Sequence, residues 1–146
     1  MKVFLFLILF SFNLSATSQE CSEDYGWIEF SANTRVDTLK ELRLDLFECK
    51  CLSDKLFTAT RLIKLKLLAT RLESLPNKIG ELTQLEELTI SKSRIKTLPL
   101  DLFELGELKY LAIAGGCLES IPRKIGNLKK LETLWLGLNN LHSLPK

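Results

Sequence analysis

The chain has 146 residues, 46% of them hydrophobic, and sets 20 Lys and Arg against 18 Asp and Glu for a net charge of +2 at pH 7. So even a balance excludes the strongly basic stripe that marks a nucleic-acid interface. A single histidine, His142, leaves little to support acid–base catalysis near neutral pH.

The first residues have the make-up of a targeting segment. Lys2 gives a positive start, an apolar stretch runs from Val3 to Leu14, and Ala16, Thr17 and Ser18 offer small residues for cleavage before Gln19. The stretch is shorter than the roughly 20 apolar residues that span a bilayer. Glu20, directly before Cys21, argues against a lipid-modified cysteine. Residues 1–18 are expected to be a signal peptide, with an uncleaved anchor as the alternative. The mature chain would be secreted, periplasmic or on the cell surface, with no integral membrane span.

Residues 19–38 supply Tyr25, Trp27, Ile28 and Phe30, the aromatic bulk expected of an N-terminal cap. From residue 39 onward one period rules the chain. All four prolines, Pro76, Pro99, Pro122 and Pro145, are 23 residues apart, and each follows Leu or Ile. At that period Leu39, Leu62, Leu85, Leu108 and Leu131 share a column. So do Leu42, Leu65, Leu88, Leu111 and Leu134, and then Leu44, Leu67, Ile90, Ile113 and Leu136. Cys49, Leu72, Ile95, Leu118 and Leu141 make a fourth column, and apolar pairs such as Ile79 with Leu82 follow the prolines. Repetition on this scale signals a stack of one supersecondary unit. A long helix or coiled coil fails, because no helical face holds both the three-residue and the two-residue leucine steps. The two-residue step fits a strand, and a recurring proline interrupts a helix.

Residues 131–141, Leu-Glu-Thr-Leu-Trp-Leu-Gly-Leu-Asn-Asn-Leu, resemble the Leu-x-x-Leu-x-Leu-x-x-Asn-x-Leu motif of the leucine-rich repeat family. The Leu-Pro-x-x-Ile-Gly-x-Leu returns at Leu75–Leu82 and, with Ile first, Ile121–Leu128 are similar to the 23-residue class common in short exported bacterial members. The resemblance implies an α/β fold: a right-handed solenoid with a parallel sheet on its concave face. Repeats would start at residues 39, 62, 85, 108 and 131, the last incomplete. One departure matters. The family's Asn column reads Phe47, Thr70, Ser93, Gly116 and Asn139, so looser turns are expected at Phe47 and Gly116.

An oxidising compartment permits disulfides. Stacking at roughly 4.8 Å per strand puts Cys117 ~14 Å from Cys49 and Cys51, beyond the about 7 Å reach of a disulfide. Cys21 with either Cys49 or Cys51 is the expected bridge, leaving Cys117 single. The chain stops at Lys146 in mid-repeat, so leucines of the last copy are expected to face an uncovered C-terminal edge.

Strand positions between the inward leucines form three outward columns. Glu41, Lys64, Glu87, Tyr110 and Thr133 make one; Arg43, Lys66, Thr89, Ala112 and Trp135 the next; Asp45, Leu68, Ser91, Ala114 and Gly137 the third. Exposed aromatics beside small residues are the usual make-up of a binding hot spot. Tyr110 and Trp135 are therefore expected to anchor a protein or peptide partner, with Arg43, Lys64, Lys66 and Glu87 steering it. Catalytic residues, metal ligands and cofactors are not expected. Cys117 with His142 lacks a third group to orient the imidazole, and Cys49-Lys50-Cys51 lacks a second pair at zinc spacing. The rival readings are a structural or self-associating protein using the C-terminal edge, and a recognition arm of a larger enzyme or receptor.

Overall fold

Leucine alternating with polar or small residues gives every strand one face for the core and one for solvent. In the computed structural model, which describes residues 38–45, 52, 54–69 and 71–145, that alternation yields five strands. They are β1 (Glu41–Asp45), β2 (Lys64–Leu68), β3 (Glu87–Ser91), β4 (Tyr110–Ala114) and β5 (Thr133–Trp135). All pair in parallel, in chain order, as one sheet. The register equals the sequence period: Leu42 pairs with Leu65, Leu65 with Leu88, Leu88 with Leu111 and Leu111 with Leu134. Each turn of the chain thus lays a strand beside the last, and the molecule winds as a solenoid.

Strand entry is made the same way each time. The carbonyl oxygen of Lys40 accepts the N–H groups of both Ile63 and Lys64, and Ile63 does the same for Glu86 and Glu87. Glu86 serves Lys109 and Tyr110, and Lys109 serves Glu132 and Thr133. Just beyond the body of β2, β3, β4 and β5 the backbone turns through a left-handed residue: Ala69 (φ 50°), Lys92 (φ 53°), Gly115 (φ 64°) and Leu138 (φ 58°). These four positions carry the same 23-residue period as the prolines.

The returns are short 3₁₀ helices at Asp54–Thr58, Asn77–Glu81, Leu100–Glu104 and Arg123–Asn127. Pro76, Pro99 and Pro122 stand immediately before the last three, with extended backbone. Their carbonyls accept from Ile79, Leu102 and Ile125 respectively. Proline suits this place because its fixed φ is compatible and no partner is needed for a missing N–H.

The core lies between sheet and returns. Leu62, Leu65, Leu67, Leu85, Leu88, Ile90, Leu108 and Leu111 are fully buried. A further column at the same period runs through the returns as Phe57, Gly80, Phe103 and Gly126, and its two phenylalanines are buried in the core. A Cβ on Gly80 would come within 3.0 Å of the Asp101 carbonyl oxygen. In the last repeat Leu131, Leu136 and Leu141 are only partly buried, and Leu134 and Leu144 are exposed.

The turn at Gly116 is not loose. Gly115 and Gly116 donate their N–H groups to the carbonyls of Gly137 (3.1 Å) and Leu138 (3.0 Å). Asn139 in the next repeat then donates its side-chain amide to Ile113 (2.6 Å) and Leu136 (2.9 Å), and accepts from the Leu118 N–H (3.4 Å). One asparagine therefore fastens two turns. Phe47 lies outside the described residues, as do Cys21, Cys49 and Cys51 with their expected disulfide, and residues 1–37 with the signal peptide and most of the cap.

Ion pairs bind repeat to repeat. Lys78 pairs with Asp54, Lys64 with Glu87 (2.7 Å), Lys109 with Glu86 (2.8 Å) and Lys130 with Glu107 (2.6 Å). Lys96 pairs likewise with Glu119 (3.0 Å) and Lys124 with Glu104 (3.1 Å). Each joins neighbouring copies, so charge reinforces the axis of stacking although exposed pairs are individually weak.

Candidate binding surface

Because strand side chains alternate, the residues between the leucines all emerge on the concave face of the sheet. The register makes two rows there: Glu41, Lys64, Glu87, Tyr110 and Thr133, and Arg43, Lys66, Thr89, Ala112 and Trp135. Each row runs along the solenoid axis, one residue per strand. All six residues expected from sequence to meet a partner occupy these rows.

The structure divides those six into groups. Lys64 and Glu87 are bound to each other, and Glu87 is the main cause of the raised Lys64 pKa, through hydrogen bonding first and charge second. Each therefore presents less free charge than its isolated side chain would. Arg43 and Lys66 are adjacent in the second row, and both are exposed. Lys66 makes no ion pair with another described residue.

Tyr110 and Trp135 sit on neighbouring strands, two positions out of register and on the same face. Tyr110 is 37% exposed and Trp135 59%. Ala112 faces Trp135 directly in the register and is only 5% exposed. Tyr110 precedes it by two on its own strand, and Trp135 stands opposite it on the next. The indole of Trp135 leans along its own strand: a Cβ on Gly137 would be 3.1 Å from Nε1 and 3.5 Å from Cε2. Gly137 gives the ring its seat, a role that sequence reading did not assign, although a glycine two places after an exposed tryptophan was the available clue. Leu138, 87% exposed at the following turn, also went unnoticed.

Cys117 is half-buried and forms no disulfide with a described residue. His142 is exposed, with its ring Nδ1 3.4 Å from the Glu119 carbonyl oxygen. Among the described residues no cluster of His, Cys, Asp and Glu has the arrangement to hold a metal ion, and no helix is long and apolar enough to cross a membrane.

A family profile described as "Leucine-rich repeat region" matches residues 29–146. The chain belongs to the leucine-rich repeat family. Solved leucine-rich repeat structures agree. A leucine-rich repeat protein of Leptospira interrogans is 28% identical with a TM-score of 0.52, over 70% of this chain and 31% of that one. The leucine-rich repeat domain of the type III effector XopL is 26% identical with a TM-score of 0.62, over 72% and 38%. The plant peptide hormone receptor RGFR1, solved in complex with RGF2, is 25% identical with a TM-score of 0.62, over 75% and 21%. The chain thus spans well under half the length of these structures. No curated protein matches it at a significant level.

Proposed function

We propose that this leucine-rich repeat chain is a non-catalytic binding module that captures a protein or peptide on its concave face. The observation that carries the reading is the pair of exposed aromatics, Tyr110 and Trp135, flanking buried Ala112 on rigid neighbouring strands. Exposed aromatic anchors concentrate binding energy. A sheet already in place costs little ordering on association. Support also comes from the similar receptor structure, which was solved with a peptide hormone bound.

The reading is tested by comparing partner capture by the full chain with capture by Trp135→Ala and by a control change on the return side, Leu100→Ser. Loss of capture with Trp135→Ala alone, at unchanged melting temperature, supports the concave face. Unchanged capture with a collapsed melting temperature makes Trp135 a structural residue.

Binding is placed outside the cytoplasm on the strength of Lys2, the Val3–Leu14 stretch and the small residues ending at Ser18. N-terminal sequencing of the chain recovered from expressing cells should begin at Gln19. Mass spectrometry without reductant should find Cys21 joined to Cys49 or Cys51. A second reading, self-association through β5, is favoured by the exposure of Leu134 (42%) and Leu144 (65%). A clean monomer in sedimentation at micromolar concentration rules it out.

A further inference from the structure

We infer that the ligand of the concave face is an extended peptide segment bearing a carboxylate side chain four residues from an apolar one, the carboxylate held at Lys66 and the apolar group seated over Ala112 against Trp135. The inference rests on the concave-face reading and gives its ligand a chemistry.

The cationic end comes first. Lys66 is the middle of β2 and is exposed. Its neighbours in the row are Arg43 and Thr89, and Lys64 is the next residue of β2 on the same face. Lys64 is already satisfied by Glu87 at 2.7 Å, whereas Lys66 has no acidic partner among the described residues. An incoming carboxylate at Lys66 neutralises its charge and gains charge-assisted hydrogen bonds. The Thr89 hydroxyl, one strand further along, is an additional donor.

The same row ends in two apolar residues, Ala112 on β4 and Trp135 on β5. From β2 to these two strands is two to three strand spacings, or ~10–14 Å. An extended chain advances about 3.3–3.6 Å per residue, so it crosses that gap in roughly three to four residues. Alternation selects between the two values. Only an even separation puts both side chains on the face of the peptide that meets the sheet. Acid and apolar group therefore stand four apart, with the intervening residue of the same face, near Thr89, small or polar.

A free anion would use Lys66 and leave the aromatics idle. A purely apolar ligand would leave the lysine's charge uncompensated. A peptide running along the solenoid axis uses both ends of the row at once.

The test uses the full chain and blocked nonapeptides of Ser and Thr containing one Glu and one Phe. Binding of the peptide with Glu and Phe four apart is compared with three controls: Glu replaced by Gln, Phe replaced by Ala, and a separation of three. Each control is expected to bind at least about tenfold more weakly, the value of one good charge-assisted contact. Lys66→Glu should abolish binding and transfer preference to a peptide with Lys in place of Glu. Lys66→Gln should bind the Glu and Gln peptides alike. Lys66 is exposed, so both variants should melt with the parent. Equal binding of Glu and Gln peptides, or of three- and four-residue separations, overturns the inference, as does failure of every peptide to bind. None of these outcomes touches the concave-face reading, which stands or falls on the Trp135→Ala capture experiment.

Discussion

A Cβ placed on Gly116 would stand 2.9 Å from the carbonyl oxygen of Ser93 in the preceding repeat. It would also crowd the Ser93 hydroxyl and the Asn139 side-chain oxygen, each at 3.2 Å. The turn can approach its neighbours on both sides only because this residue has no side chain. Gly116→Ala should destabilise the protein by about 1–3 kcal/mol through overpacking, read as a lower urea midpoint with the slope unchanged. Gly106→Ala is the control, since nothing lies within 4 Å of the added methyl group.

The left-handed residues after the strands give a prediction of opposite sign. Lys92 holds φ 53° with a full side chain, a conformation that costs about 1–2 kcal/mol outside glycine. Lys92→Gly removes that strain and adds roughly 0.4–1 kcal/mol of unfolded-state entropy. The net expectation is a gain of about 0.5–1 kcal/mol, measured as a higher denaturation midpoint. A loss would mean the lysine side chain contributes more than its backbone costs.

In the returns, Phe103 is buried to 1% exposure while Leu100, in the same 3₁₀ helix, is 50% exposed. Phe103→Ala should cost about 3–5 kcal/mol, whereas Leu100→Ala should stay within about 0.5 kcal/mol of the parent. Thermal melts of the two variants separate the outcomes.

The inter-repeat ion pairs predict how stability responds to pH and salt. Lys130 holds the Glu107 carboxyl below its usual pKa, mainly by hydrogen bonding. A depressed carboxyl contributes stability that is complete above its unfolded pKa, about 4.3, and is lost as pH falls through the folded value. Glu86 and Glu119 raise the pKa of Lys109 and Lys96, again chiefly by hydrogen bonding. Those contributions are complete below about pH 10.4 and lost as pH rises through the folded values. The melting temperature should therefore be flat near neutrality and fall at both extremes. Added salt should lower it modestly, and Lys130→Gln should remove the part of the acid limb due to Glu107.

How much of this was legible in the sequence follows from the period itself. The concave rows were readable because a parallel sheet with a 23-residue period makes column and register one thing: Lys66, Thr89 and Ala112 align in both. Phe57 and Phe103 were missed as core because they alternate with Gly80 and Gly126, so their pattern repeats only at twice the period. The left-handed corners were invisible because Ala69, Lys92 and Leu138 stand where the usual signal is glycine. The tight turn at Gly116 was misjudged because its fastening comes from Asn139, one repeat away. The joining of Lys64 to Glu87 needed side-chain geometry, which turned two expected steering charges into one neutral pair and left Lys66 as the more available cation.

The paired hydrogen bonds at the strand entrances have a direction. At Lys40, Ile63, Glu86 and Lys109 the acceptor always belongs to the earlier repeat and the two donors to the later one. A chain leaving the ribosome N-terminus first would thus find each docking carbonyl already in place before its donors are synthesised. Assembly can proceed vectorially, every finished coil serving as the template for the next.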